Sequence, residues 1–198
     1  MTIFYRLGQK LYVNITNACP CACDFCIRNV TDGVGDASNL WLQREPTIPE
    51  IKDAFISRRD LASVDEIVFC GYGEPMERAN DVILLCKFFK ANSPTLPVRI
   101  NTNGLVSLIH PDFQLKEIAI VDSISVSLNA DTAEEYVRIV NPRFGIKAYA
   151  AMLDFVAWAK DYTNVTLTIL ETLAPERIEN CRKIAANLGL PLVVRGIM

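Results

Sequence analysis

Three cysteines spaced Cys19-x3-Cys23-x2-Cys26, in the run Asn17-Ala-Cys-Pro-Cys-Ala-Cys-Asp-Phe-Cys-Ile-Arg28, are the residues of this chain best equipped for chemistry. Thiolates are soft ligands for iron and zinc, and three on one flexible loop can wrap a corner of a cubane iron–sulfur cluster. Three ligands for four irons leave one iron open, and chemistry can happen there. Cys21 lies in the same run, so a structural zinc held by four thiolates is the competing reading. Cys21 would have to join a loop already constrained by its neighbours. The spacing therefore favours the cluster, with Cys21 a bystander.

Polar groups gather at the ends of four further apolar runs. In Cys70-Gly-Tyr-Gly-Glu-Pro75, Gly71 and Gly73 permit positive φ and close approach of the backbone to a ligand, while Glu74 offers a carboxylate to an ammonium group. An ordinary strand-to-helix turn would use similar residues. Asn101-Thr-Asn-Gly104 and Ser127-Leu-Asn129 end the next two runs, and amides and hydroxyls there suit ribose hydroxyls and a carboxylate. Turn formation by Asn and Gly is the plainer alternative. Glu171, beside Thr172, could meet a ligand, cap the next helix or face water.

These segments converge only if their strands lie side by side. Six strand-length apolar runs alternate with helical patterns: 11–15, 66–69, 98–101, 123–128, 165–170 and 192–194. Such alternation marks βαβ units feeding a parallel sheet, whose strand C-termini build the functional face. Thr47-x-x-Glu50 and Asp131-x-x-Glu134 have the form of helix starts, and Pro175 and Gly189 bracket a last helix. A complete eight-fold barrel takes about 250 residues. At 198 residues, the expectation is one α/β domain spanning residues 1–198, a partial (β/α)6 TIM-like barrel with a parallel sheet, open on one side. Residues 29–45 form a long aperiodic connection, a common place for function.

Composition narrows the classes. About half the residues are apolar (51%), enough for a sizeable core without disulfides, and a net charge of −3 gives no reason to expect direct contact with nucleic acid. No apolar run approaches membrane-spanning length and the first ten residues lack the pattern of a leader, so a soluble, cytoplasmic protein is expected, with no membrane partner. Seven cysteines, an odd count with metal-ligand spacing in three, fit a reducing compartment. Cys70, Cys86 and Cys181 lie in apolar patterns and read as small hydrophobes. His110, before Pro111, reads as a solvated residue at a helix start, and Trp158 as core.

The C-x3-C-x2-C run with aromatic Phe25 before its last cysteine resembles the signature of the radical S-adenosylmethionine (radical SAM) superfamily. Leu11-Tyr-Val-Asn-Ile-Thr-Asn17, Cys26-Ile-Arg28 and Leu40-Trp-Leu-Gln-Arg-Glu-Pro46 are similar to a short group within it associated with TatD-type nucleases. The resemblance implies a 4Fe–4S cluster on Cys19, Cys23 and Cys26, and S-adenosylmethionine (SAM) on its open iron. Cofactor contacts then fall to Phe25, to Gly71, Tyr72, Gly73 and Glu74, to Asn101, Thr102 and Asn103, to Ser127 and Asn129, and to Glu171. Tyr72 and Asn101 depart from the superfamily's usual glycine and acidic residue. Reductive cleavage of SAM and hydrogen abstraction from an unidentified small molecule or polypeptide would follow, with electrons from a low-potential donor such as flavodoxin or ferredoxin. A functional link to a TatD-type nuclease is a further implication. Short relatives also include activases of glycyl-radical enzymes and carboxydeazaguanine synthases. The alternative of another class is a non-catalytic metal-binding or electron-transfer module.

Overall fold

The computed structural model describes residues 1–196. All six expected strands form, and a seventh precedes them: β1 (Phe4–Leu7), β2 (Lys10–Val13), β3 (Glu66–Phe69), β4 (Val98–Thr102), β5 (Ser123–Ser127), β6 (Asn164–Leu170) and β7 (Leu192–Arg195). They make one sheet in chain order. β2 to β7 are parallel, whereas β1 folds back antiparallel on β2 through a turn with Gly8 at φ +60°. That hairpin corrects the six-strand expectation. Phe4 and Tyr5 are adjacent and bury on opposite faces, so β1 shows none of the apolar–polar alternation by which a half-buried strand is recognised.

Six helices pack on the sheet: α1 (Ile48–Ile56), α2 (Ala79–Asn92), α3 (Val106–Ile109), α4 (Ala133–Val140), α5 (Lys147–Ala159) and α6 (Pro175–Leu188). Thr47 and Glu50 form a reciprocal capping box at the start of α1, and α6 runs from Pro175 to a left-handed Gly189. The cap of α4 lies one residue later than its sequence suggests. Thr132 Oγ1 accepts from Glu135 N–H at 3.2 Å, and Asp131 instead receives Arg177 and Asn180 of α6 at 2.5 and 2.9 Å. His110 follows the end of α3 rather than starting a helix, and its ring contacts Glu77 O at 2.9 Å.

Alternation along the strands divides the sheet into two unlike faces. Leu11, Val13, Ile67, Phe69, Val98, Ile100 and Val126 are fully buried toward the helices, where they meet Phe55 and Phe89. Fully burying one such side chain contributes about 1.5–3 kcal/mol, so this layer holds the fold together. The opposite face carries Tyr12, Arg99, Asn101, Ser125 and Arg195. Among the described residues β1 and β7 do not pair, and yet Tyr5 of β1 and Arg195 of β7 line one cavity. The sheet curls toward closure and stops short of it.

Candidate functional site

The cysteine loop leaves the end of β2 on the rim formed by the strand C-termini, and its backbone is fastened on two sides. On the β3 side, Glu74 N–H donates to Ala18 O at 2.8 Å. A Cβ at Gly73 would stand 2.3 Å from Thr16 O and 2.6 Å from Ala18 O, and one at Gly71 would stand 2.1 Å from Asn14 Oδ1. Neither glycine has positive φ. The positive-φ part of the sequence reading is thus corrected: what excludes a side chain at these glycines is contact with the chain's own segment before Cys19.

On the α4 side, Ala22 N–H reaches Val140 O and Asn141 O at 3.2 Å, Asp24 N–H reaches Ile139 O at 3.0 Å, and Arg143 N–H reaches Pro20 O at 2.8 Å. Asn141, left-handed at φ 45°, ends α4 and turns its last carbonyls toward the loop.

Cys19, Cys23 and Cys26 are half-buried free thiols, and Cys21 is buried. The neighbouring Cys21 thiol lowers the Cys19 pKa, while Cys19, Cys23 and burial raise that of Cys21. Cys19 is therefore the sulfur favoured as thiolate and Cys21 the one kept protonated. Burial raises Cys26, opposed by a backbone N–H and the charge of Arg28. Among the described residues no three His, Cys, Asp or Glu side chains form a group that could hold a single metal ion. Ligands of a cubane each reach a separate iron and stand farther apart than the ligands of one ion.

Tyr136 supplies a further indication that a sulfur-rich group fits. Its ring is fully buried and its hydroxyl has no hydrogen-bond partner among the described residues, although Cys21, Cys23 and Cys19 are among the groups acting on it electrostatically. An unpartnered buried donor is costly, by about 1–3 kcal/mol. A cluster sulfide or a thiolate would accept from it.

Glu74 is buried and encircled. Its carboxylate accepts from Thr102 Oγ1 at 2.7 Å, Asn103 N at 2.7 Å and Met76 N at 3.0 Å, so it ties the end of β3 to the end of β4. Burial outweighs those donors and pushes its pKa up to about 7. Asn101 and Thr102 part company, because successive strand residues face opposite ways. Thr102 turns to Glu74, while Asn101 lies on the open face and accepts from Arg99. Asn103 donates through Nδ2 to the Cys21 sulfur at 3.7 Å.

Tyr72 points away from the strand rim. It is buried with Tyr5 and Leu40, packs edge-on against Trp41 at 5.1 Å, and its hydroxyl donates to Thr31 O. The long 29–45 connection is thereby folded over the sheet. Asn14 and Asn17 fasten it further, donating to Leu40 O and Leu42 O at 2.7 Å each. None of these anchors was apparent from sequence, since their partners lie some 25 residues or more away along the chain.

Phe25 and Asn129, far apart in sequence, do come together. They line a cavity of about 350 Å³ with Leu170 and Thr172, beside Asp24 of the cysteine loop. Asn129 is left-handed at φ 57°, which asparagine tolerates. Ser127 is half-buried at the end of β5, in register with Thr168. Glu171 is exposed, and its N–H extends the pairing to Arg195 O at 2.9 Å. Its neighbour Thr172 reaches the cavity instead. Cys86 and Cys181 are buried in α2 and α6 as small hydrophobes, but Cys70 lines a second cavity near Asn101 and Arg195. Trp158 is half-buried and stacks on Tyr162 at 4.3 Å.

Residues 13–186 match the family described as the Radical SAM superfamily. The dual-specificity RNA methyltransferase RlmN of Geotalea uraniireducens (strain Rf4) is 28% identical over 139 residues, covering 67% of this chain and 37% of that protein. A solved structure of TYW1 with a lysine-pyruvate adduct bound superposes with TM-score 0.68 at 13% identity, over 98% of this chain and 66% of that one. Archaeal TYW1 gives TM-score 0.58 at 10% identity, over 96% and 66% of the two chains. At such identities the likeness shows the fold, an incompletely closed TIM-like β/α barrel.

Proposed function

The chain belongs to the radical SAM superfamily of enzymes, and we propose that Cys19, Cys23 and Cys26 hold a 4Fe–4S cluster whose open iron is met by SAM. When bound, these groups supply one-electron reductive cleavage of SAM to methionine and a 5′-deoxyadenosyl radical, which abstracts hydrogen from a substrate. The protein's own share is to bind, orient and exclude water.

Phe25 and Asn129 border the cavity suited to the adenosine half. The backbone of Gly71, Tyr72 and Gly73, with Asn101 and Ser127 on the open face, is assigned the methionine half. Glu74, Thr102 and Asn103 act from behind, since their mutual hydrogen bonds hold the β3 loop against Ala18. Glu171 is left to the solvent-side rim. Tyr136 would donate to a thiolate or cluster sulfur once the cluster is bound, and such bonds shift a cluster's potential. Residues 29–45, anchored by Tyr72, keep bulk water from the open face.

The observation that carries this reading is the two-sided fastening of a three-thiol loop in a chain matching the superfamily over residues 13–186. A low-potential flavodoxin or ferredoxin as electron donor, cytoplasmic location, and a functional link to a TatD-type nuclease belong to the same proposal. No helix among the described residues is long and apolar enough to cross a membrane. Anaerobically reconstituted protein, given SAM and dithionite, is expected to release methionine and 5′-deoxyadenosine. Cluster-loaded protein that yields neither overturns the reading.

A further inference from the structure

The cavity between the two edges of the sheet has a charge pattern that specifies a ligand. Its volume is about 350 Å³, within the range of small-molecule sites. Tyr5 contributes from β1 and Arg195 from β7, with Tyr12, Cys70 and Asn101 between them and Ile27 at the cysteine-loop end. Ile27 directly follows Cys26, and Phe25 directly precedes it. The residues before and after the last cysteine thus each line one of the two 350 Å³ cavities.

Among the described residues Arg195 is the one charged residue lining this cavity, and the carboxylate of Glu171 lies outside the lining, against Gly196 at its edge. Its situation differs from that of Arg99 on the same face. Arg99 forks onto both oxygens of Glu66 at 2.9 and 3.0 Å, and Lys10 shares that carboxylate at 2.8 Å. Arg195 donates through Nη2 to Ser125 Oγ at 2.8 Å and, among the described residues, has no carboxylate within ion-pair distance. A guanidinium has five N–H donors in a planar fork that matches a carboxylate or phosphate. Most of this fork is unspent. Arg195 is exposed at the end of β7; Arg99 behind it adds positive charge rather than removing it, and partial desolvation together with that neighbour lowers the Arg195 pKa from its ordinary value. An anion entering the cavity relieves both. The remaining described lining is neutral: Tyr12 presents a phenol, while the Tyr5 hydroxyl donates to Cys70 O at 3.4 Å and the Asn101 amide oxygen accepts from Arg99.

We propose that the substrate of this enzyme is a small molecule bearing an oxyanion, carboxylate or phosphate, and that Arg195 binds that group in the cavity between β1 and β7. The assignment rests on the radical SAM reading of the adjoining cysteine loop for the word substrate, and on the cavity alone for the anion.

The test uses cluster-loaded protein at low ionic strength, titrated calorimetrically with inorganic phosphate and, separately, with acetate. Saturable binding of at least one probe is expected, and the tighter of the two distinguishes a phosphate from a carboxylate ligand. Arg195→Gln should weaken it at least tenfold, and Arg195→Lys, which keeps the charge and loses the fork, by less. Iron content of each variant verifies that it has folded. No saturable binding of either probe to the unsubstituted protein, or equal binding by Arg195→Gln, overturns the proposal. SAM affinity, measured by equilibrium dialysis, is the second arm: if Arg195→Gln loses it, the arginine holds the cofactor's carboxylate and the proposal falls. Should the unsubstituted protein bind phosphate or acetate through Arg195 yet never cleave SAM, the radical reading fails while the anion site stands.

Discussion

Replacing Gly73 by alanine puts one methyl group where the backbone of the cysteine loop already lies. The new Cβ would stand 2.3 Å from Thr16 O and 2.6 Å from Ala18 O, both main-chain atoms that cannot swing aside like a side chain. The β3 loop has to move, and the 2.8 Å bond from Glu74 N–H to Ala18 O is lost with it. Overpacking costs about 1–3 kcal/mol and the hydrogen bond about 0.5–1.5 kcal/mol, so a loss of roughly 2–4 kcal/mol is expected. For a domain of this size that corresponds to a fall in Tm of about 4–16 °C. Gly145 is the control: it has φ +60° and nothing within 4 Å of an added Cβ, so alanine there brings backbone strain without collision, at about 1–2 kcal/mol. Iron and sulfide content, the visible absorbance of the cluster and a urea melt, measured on both variants, separate the two effects. Gly73→Ala should lose most of its iron while Gly145→Ala keeps it. Full iron loading and an unchanged melt in Gly73→Ala would refute the argument that this glycine exists to admit the cysteine loop.

Two further outcomes follow from the same region. Because burial raises the folded-state pKa of Glu74 from 4.5 to about 7, the folded protein holds a proton that the unfolded chain has released between those values. Stability from this group is complete below pH 4.5 and declines as pH rises toward 7, by about 3 kcal/mol in total. Urea melts between pH 4.5 and 7.5 should show that decline in the unsubstituted protein and not in Glu74→Gln; parallel curves would contradict it. Cys21→Ala should retain four irons per chain, whereas Cys19→Ala, Cys23→Ala and Cys26→Ala should not. Loss of iron from Cys21→Ala would return Cys21 to the ligand set.

Much of the frame could be read from the chain because it is written in local patterns. Thr47 and Glu50 are three residues apart and cap each other; Pro175 and Gly189 mark their helix by what their own backbones permit. The parallel strands are apolar runs of the right length. What escaped were features decided by distant partners. Asp131 looked like the cap of α4, yet Arg177 and Asn180 claim it from α6, leaving the cap to Thr132. Tyr72 looked like a misfit in a glycine motif, and its purpose becomes apparent only with Thr31 and Trp41 around it. Tyr136 resembled any core aromatic of an amphipathic helix. Its isolated hydroxyl near the cysteines has no sequence signature, and Arg195 likewise gave no hint that it lacks a carboxylate partner among the described residues.

The unlike faces of the sheet separate two kinds of evolutionary freedom. Exchanges at Ser123, Ser125 or Thr166, which border the hollow side near Arg195, leave the Phe55–Phe89 layer untouched. A lineage could therefore drift from one reactant to another by editing small hydroxylated positions, with its melting behaviour almost unaltered, while the iron-bearing arm stays where it is.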